Sequence, residues 1–444
     1  MSLILVVLTS SLGVLIGKHL FKKWFNHLTI YCIIMGGLIF FYELKLLPYR
    51  ELTTLTWFIS VSASISFFLG IVTIITARDL SNRKQVLTSH STDLYLPIFE
   101  DDGKALKYSV LFFSLIGLFV AVQRWYVLIN MFGSISAVLV NASVVYRLNV
   151  NREIKEFIPI LPSFIYVAVF LSGIYSAYKC RFSLLTFLPF IGIVLKELTY
   201  FGRGEMLFTS MEFLITFFLF RHLLNEDKLK RFKFSKKNAI IASSILILLM
   251  ITSASLVRIS RGSYENYSGA SKELRSLKEN FIISPSIYLY LSSDIGVFNK
   301  YLESEGEDTK FGQNSFFIIY ELLSRFEAVE KPNAFQKGYY IPMWTNTGTY
   351  IRELHADFGI FGVLLVPYLL GLIITWLWFK FYEEKNLNAF AFLVYLYLII
   401  GFSFLVMVTR LNQWYFSLFF ILLYLPILKK IVIGRKMLNK NTFN

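Results

Sequence analysis

Charge is scarce in this chain: Asp, Glu, Lys and Arg make up only 16% of its 444 residues. Cysteine is nearly absent, with Cys32 and Cys180 as its two copies, so no disulfide framework is implied. Histidine occurs five times and shows no spacing with Cys, Asp or Glu that would suit a metal. Neither a phosphate-binding loop nor a dinucleotide glycine pattern occurs, which leaves no expected nucleotide cofactor. No internal repeat or low-complexity segment is visible. The first hydrophobic run lacks a basic stretch before it and a small-residue cleavage site after it, so it reads as a retained span.

What the chain does have is apolar mass. Hydrophobic residues account for 56% of it, and Phe alone occurs 45 times. A soluble protein of this length could not hide that surface. A bilayer removes the problem, because lipid becomes the solvent. Eleven uncharged or nearly uncharged runs fall near 2–17, 28–47, 55–76, 106–122, 160–177, 183–199, 204–220, 239–257, 358–379, 389–409 and 413–430. In lipid each must satisfy its backbone within its own segment, which dictates helices. The expected class is an all-α, polytopic integral membrane protein with about eleven transmembrane helices. A twelfth would arise if 127–146 crossed the membrane, but that would put the basic loops 18–27 and 221–238 on opposite sides. An amphipathic or re-entrant outer segment is the preferred reading there.

The formal net charge is +15, a value that would also suit a nucleic-acid binder. In a polytopic protein, basic residues gather on cytoplasmic loops instead. The loops 18–27 and 221–238 and the tail from Lys429 are all rich in Lys and Arg. They fall on one side of an eleven-span chain, which makes that side and the C-terminus cytoplasmic. The largest polar stretch, 258–357, then faces outward. The expected organisation is eight spans in 1–257 with an outer segment at 123–159, the large loop 258–357, and three spans with a basic tail in 358–444. A loop of that length is too long for a passive connector.

Arginine recurs on the outer side: Arg50, Arg124, Arg147, Arg152, Arg203, Arg258, Arg261, Arg275, Arg325, Arg352 and Arg410. Its planar fork grips phosphate with two parallel hydrogen bonds and stays charged. Any one of these can instead snorkel to headgroups or pair with loop acids. Three clusters stand out. In "TYFGRGEMLFTSMEF" Arg203 lies between two glycines at a span mouth, and Glu212 lies about 13 Å further along a helix at 1.5 Å per residue. Glu205 and Glu212, seven apart, share a face. A carboxylate at that depth is a functional candidate or half of a buried pair, with Lys196 as its possible partner. In "LVRISRG" Arg258 and Arg261 are three apart and would face the same way on a helix, with an anion between them. In "YIRELHADFGIFG" Arg352 and His355 are three apart, and Glu353 and Asp357 are four apart, just before an apolar run. Either His355 or Asp357 could take a proton from a hydroxyl. Asp357 could equally cap a helix, and His355 could serve only the surface. Gly359 and Gly362 would allow close helix packing.

The arginine between glycines, the large late outer loop and "YIRELHADFGIFGVLLVPYLLG" resemble the O-antigen (Wzy-type) oligosaccharide repeat-unit polymerases of bacteria. The resemblance implies a glycosyltransferase of the inner membrane, active on its outer face, in polysaccharide and lipopolysaccharide biosynthesis of the cell envelope. Its substrates would be undecaprenyl-diphosphate-linked oligosaccharides, and the growing glycan would pass onto a lipid-linked repeat unit. Membrane lipid is a further expected partner, as is a chain-length-regulating co-polymerase; nucleic acid is not. The resemblance points to Arg203, Arg258, Arg352 and Asp357, while His355 stands where relatives often carry an aromatic residue. With Arg261 added, these arginines are the candidate diphosphate ligands. Asp357, His355 and Glu212 are the candidate catalytic groups. An activated donor needs neither metal nor cofactor. An O-antigen ligase and a lipid-linked oligosaccharide flippase are the alternatives. The ligases' histidine-asparagine loop signature is not clear here, and a flippase would hide more charge in mid-span.

Overall fold

The computed structural model describes residues 2–82, 97–99, 101–151, 160–202, 204–223, 285–304, 311–333, 335–342 and 344–441, with isolated positions at 153, 154, 158, 272 and 276. The described residues are almost entirely helical. The helices are α1 (Ser2–Phe21), α2 (His27–Glu43), α3 (Thr54–Asn82), α4 (Lys104–Phe132), α5 (Ile135–Val140), α6 (Ala142–Val150), α7 (Ser163–Lys179), α8 (Leu184–Tyr200), α9 (Gly204–Arg221), α10 (Pro285–Glu303), α11 (Phe317–Ser324), α12 (Tyr350–Glu384), α13 (Leu387–Gly401) and α14 (Asn412–Asn441). One antiparallel hairpin pairs β1 (Tyr339–Tyr340) with β2 (Trp344–Thr345).

This is an all-α membrane protein. Leu3–Phe21, Thr54–Leu80, Lys104–Phe132, Tyr350–Glu384 and Asn412–Gly434 are long and apolar enough to cross a bilayer, and His27–Glu43 and Leu387–Gly401 are shorter apolar helices. Every expected span falls on a helix except 239–257, which lies outside the described residues. One expectation changes. The span expected at 389–409 ends at Gly401, and 402–411 folds into turns, where the Ser403 carbonyl accepts the Tyr350 N–H. The ambiguous stretch 127–146 holds no helix of spanning length. It finishes α4 and then breaks at Gly133 and Asn141 into the short α5 and α6.

The chain divides into two compact units, one of residues 1–90 and 265–414, the other of 91–264 and 415–444. The first unit joins α1 to α3 with α10 to α13. In the first unit α12 lies along α3 at very short range. A Cβ on Gly70 would meet the Tyr368 carbonyl oxygen at 2.1 Å, and one on Gly371 would meet that of Phe67 at 2.2 Å. Without hydrocarbon to drive helices together, such close backbone contact supplies the attraction. His27 ties α2 to the same core: its Nε2 lies 3.0 Å from Thr375 Oγ1 and its Nδ1 3.3 Å from Tyr397 Oη. α10 lies against the α2–α3 connection. Tyr288 Oη donates to the Phe41 carbonyl, Tyr49 pairs with Ser292, and Asn299 Oδ1 accepts from Thr53 N and Thr56 Oγ1. At the opposite ends of α3 and α12, Arg78 pairs with Glu383.

α12 is two helices joined at a kink. Gly359 has φ 62° and ψ −151°, a conformation closed to residues with a Cβ. The adjoining turn is tight, since a Cβ on Gly362 would lie 2.6 Å from the Leu354 carbonyl oxygen. These glycines thus bend the chain rather than serving helix–helix packing. In the second unit α4 packs on α7 and α8, and α7 on α9. Phe113 stacks on Phe164 and meets Tyr424 edge-on, and Lys179 pairs with Asp102 at 2.8 Å.

Gly70→Ala should destabilise the protein by about 1–3 kcal/mol, because its methyl would press on a backbone carbonyl that cannot swing aside. Gly37→Ala, with nothing within 4 Å of its Cβ position, should leave stability unchanged or raise it. Thermal unfolding of both variants in detergent checks the contrast; equal melting temperatures would contradict the close α3–α12 contact.

Candidate functional site

The short helix before the Gly359 kink carries the charged set. Burial there is nearly complete: Arg352 is 1% exposed, Glu353 2% and Asp357 4%. An ionised group can stay in such a place only with compensating charge and hydrogen bonds. Arg352 Nη2 donates to the Lys337 carbonyl at 2.6 Å, and its guanidinium lies 5.2 Å from the Tyr339 ring centre and 6.0 Å from that of Tyr301. The segment leading into the β1–β2 hairpin therefore covers it. Glu353 lies within electrostatic reach of Arg352, Arg410 and Asp357.

Asp357 is fully engaged. Its Oδ1 accepts from Asn314 N and Nδ2 at 2.9 and 3.0 Å, and its Oδ2 from Ser315 N and Oγ, both at 2.7 Å. A carboxylate has about four acceptor sites, and all are taken. Asp357 is not in the first turn of its own helix; instead it fixes the turn that leads into α11. Arg410 completes the knot. Its Nη1 donates to Asn314 Oδ1, its Nη2 donates to the Asn333 carbonyl at 2.8 Å, and its guanidinium lies 4.7 Å from the Phe317 ring centre. His355 is half-buried, with Nδ1 3.0 Å from Tyr301 Oη. Of the four ionisable side chains in this stretch, it is the most open to the surroundings.

Asp294 belongs to the same unit and was not anticipated. It is wholly buried on α10, and burial pushes its carboxyl well above the usual carboxylate range against the opposing pull of the Thr347 hydroxyl and the Arg352 guanidinium. A lone acid inside the apolar run "YLYLSSDIGVF" was the available signal. Buried carboxyls with displaced proton affinity concentrate at functional sites.

The second unit holds a separate set. Lys196 Nζ donates to both oxygens of Glu205, at 2.9 and 2.8 Å. The expected Lys196 partner was Glu212, seven residues further along α9; Lys196 selects the acid at the mouth of the helix instead. Glu212 is wholly buried. Arg124 Nε donates to Thr199 Oγ1 at 3.0 Å and its Nη2 to Asn149 Oδ1, with the guanidinium 3.7 Å from the Tyr200 ring centre. Asn149 Nδ2 in turn donates to the Thr199 carbonyl at 3.0 Å, so Arg124 binds α6 to the end of α8. Glu197 borders Gly202, where an added Cβ would lie 3.3 Å from its Oε2. Arg203, Arg258 and Arg261 lie outside the described residues.

Among protein-family models, curated proteins and solved structures, none matches this chain.

Two expectations follow. Lys196→Met should cost about 3–5 kcal/mol, because it strands the nearly buried Glu205; adding Glu205→Leu should recover most of that loss, as read from thermal unfolding of the single and double variants. Asp294→Asn should remove a pH dependence. Above about pH 4 the unfolded chain releases the proton that buried Asp294 keeps, so wild-type stability falls as pH rises, by up to about 1.4 kcal/mol per unit, until the folded carboxyl itself titrates. The variant's melting temperature should therefore gain on the wild type between about pH 5 and 8.

Proposed function

We propose that this chain polymerises undecaprenyl-diphosphate-linked oligosaccharide repeat units at the outer face of the bacterial inner membrane, with its C-terminus in the cytoplasm. One observation carries the reading: two arginines, Arg352 and Arg410, and three carboxyls, Asp294, Glu353 and Asp357, are buried at the kinked end of the apolar helix α12. The segment bearing Arg352, Glu353 and Asp357 is the one that resembles the O-antigen polymerases.

In the proposed reaction a hydroxyl of the acceptor repeat unit attacks the anomeric carbon of the donor glycan. The bond from that carbon to the lipid diphosphate breaks, and the diphosphate leaves as an anion. His355 receives the hydroxyl proton on Nε2, since Tyr301 engages Nδ1. Asp357, saturated by four donors, positions the loop and takes no proton. Arg203, Arg258 and Arg261 are the proposed ligands of the departing diphosphate. Arg352 is the remaining candidate; its guanidinium is held by the Lys337 carbonyl and lies near the Tyr339 ring, so a part in diphosphate binding requires that segment to lift. Glu212 is assigned to the structural core of the second unit.

Deleting the protein should leave single repeat units on the lipid carrier or final acceptor, read by mass analysis of the glycan. Continued synthesis of long polymer would end the polymerase reading, and single units that never reach the outer face would favour a flippase. Polymer made on the carrier but never moved to lipid A would favour a ligase. Within the site, His355→Gln should slow polymerisation about 10²–10⁴-fold if the ring is the base. Arg352→Lys should slow it about 10- to 150-fold, the loss of 1.5–3 kcal/mol of charge-assisted bonding.

A further inference from the structure

α11 and its flanks are inverted for an element bathed in water. The helix buries Phe317 and Glu321, four residues apart on one face, and the Phe317 ring lies against Arg410. Its other side presents Ile319, Leu322 and Leu323, 51%, 52% and 39% exposed, and the flanks add Phe311, Phe316 and Phe326 at 75%, 49% and 75%. Six large apolar side chains in sixteen consecutive residues form a patch far from ordinary for an aqueous surface. The segment is also compact: Tyr320 Oη donates to the Phe311 carbonyl, and the Phe316 and Ala328 N–H groups donate to the Gly312 and Leu323 carbonyls.

Its position says what covers it. Asp357 holds Asn314 and Ser315 by four hydrogen bonds, two residues before the Gly359 kink. Phe358 meets Phe311 edge-on at 4.9 Å and Phe316 at 6.5 Å. Immediately past the kink, Phe361 is 78% exposed and Leu365 54% on a helix built to cross a bilayer. The apolar patch is thus joined to the mouth of a lipid-facing helix through Phe358. Exposed Arg325, 4.0 Å from Glu321, adds a cation beside Phe326 at the edge of the patch, a charge suited to phosphate headgroups.

We propose that residues 311–326 form an interfacial anchor whose Ile319, Leu322 and Phe326 face inserts into the leaflet at the kinked end of α12. The depth expected of such a helix is about 5–10 Å into the headgroup and acyl boundary. This anchor fixes the height of the Asp357 and Arg410 knot over the membrane. It does not depend on the polymerase reading, and its test needs no activity.

The test places a bimane on Ile319→Cys or Leu322→Cys in a chain carrying Cys32→Ala and Cys180→Ala, with Glu51→Cys, 87% exposed on its side chain, as comparison. The proteins are reconstituted into vesicles of phosphatidylethanolamine and phosphatidylglycerol. Labels at 319 and 322 should lose most of their fluorescence to lipids with a nitroxide at carbon 5 of the acyl chain and little to aqueous iodide, while the label at 51 does the reverse. Iodide quenching equal to that at 51 would overturn the proposal, as would shielding from both quenchers, which signifies a protein cover such as a second copy. Should the cysteine-free chain fail to fold, a benzophenone amino acid at Ile319 in the otherwise natural chain replaces it. A photoadduct with phospholipid supports the anchor; a crosslinked dimer, or no lipid adduct, overturns it.

Discussion

A charge withdrawn from water has to be matched where it lies, and that requirement organises both units of this protein. Hydrocarbon offers no partner to a guanidinium or a carboxylate. Arg124, Lys196 and Glu205 answer it with one another's neighbours: a threonine, an asparagine, a tyrosine face and a two-oxygen ion pair. Arg352 and Arg410 answer it with backbone carbonyls of the connection before α12, at Lys337 and Asn333. In the second case the partners come from a segment that would otherwise be a loose connector. The loop folds because the buried charges need it, and the charges remain buried because the loop folds.

The kink at Gly359 gives that arrangement its geometry. A continuous helix would aim residues 350–358 along the axis of the apolar run. Bent, the short helix can present Asp357 to Asn314 and Ser315 while Tyr350 meets Tyr31 and the Ser403 carbonyl. One backbone conformation, open only to glycine, thus separates the part of α12 that answers to lipid from the part that answers to the loop.

Much of the architecture was legible in the sequence, and for a physical reason. Apolar runs such as 55–76 and 413–430 report the bilayer directly, because lipid penalises each polar residue in them. Less could be read where the partner is remote along the chain. Asp357 looked like a cap or a base because its four donors lie more than forty residues earlier, and nothing in "RELHADFG" announces them. Lys196 looked like a partner for Glu212 by depth alone, yet Glu205 takes it in a contact set by the α8–α9 turn. Asp294 is signalled only by its place in an apolar run, and its burial becomes plain once α10 packs against the α2–α3 turn. The glycines at 359 and 362 were identified as significant but for packing, since sequence spacing does not distinguish a bend from a crossing.

The order of synthesis gives the α3–α12 contact a temporal side. α3 ends at Asn82 and its partner begins at Tyr350, so at 5–20 residues per second the ribosome needs on the order of 10–50 s to supply the second helix after the first. Through that interval Gly70 and the Phe67 carbonyl face lipid, and His27 has neither Thr375 nor Tyr397 to bond. The first three helices must therefore wait in the bilayer without their late partners, α1 packed on α2. Their Leu- and Ile-rich outer faces suit them to that wait, and the late helices close the unit around them only near the end of translation.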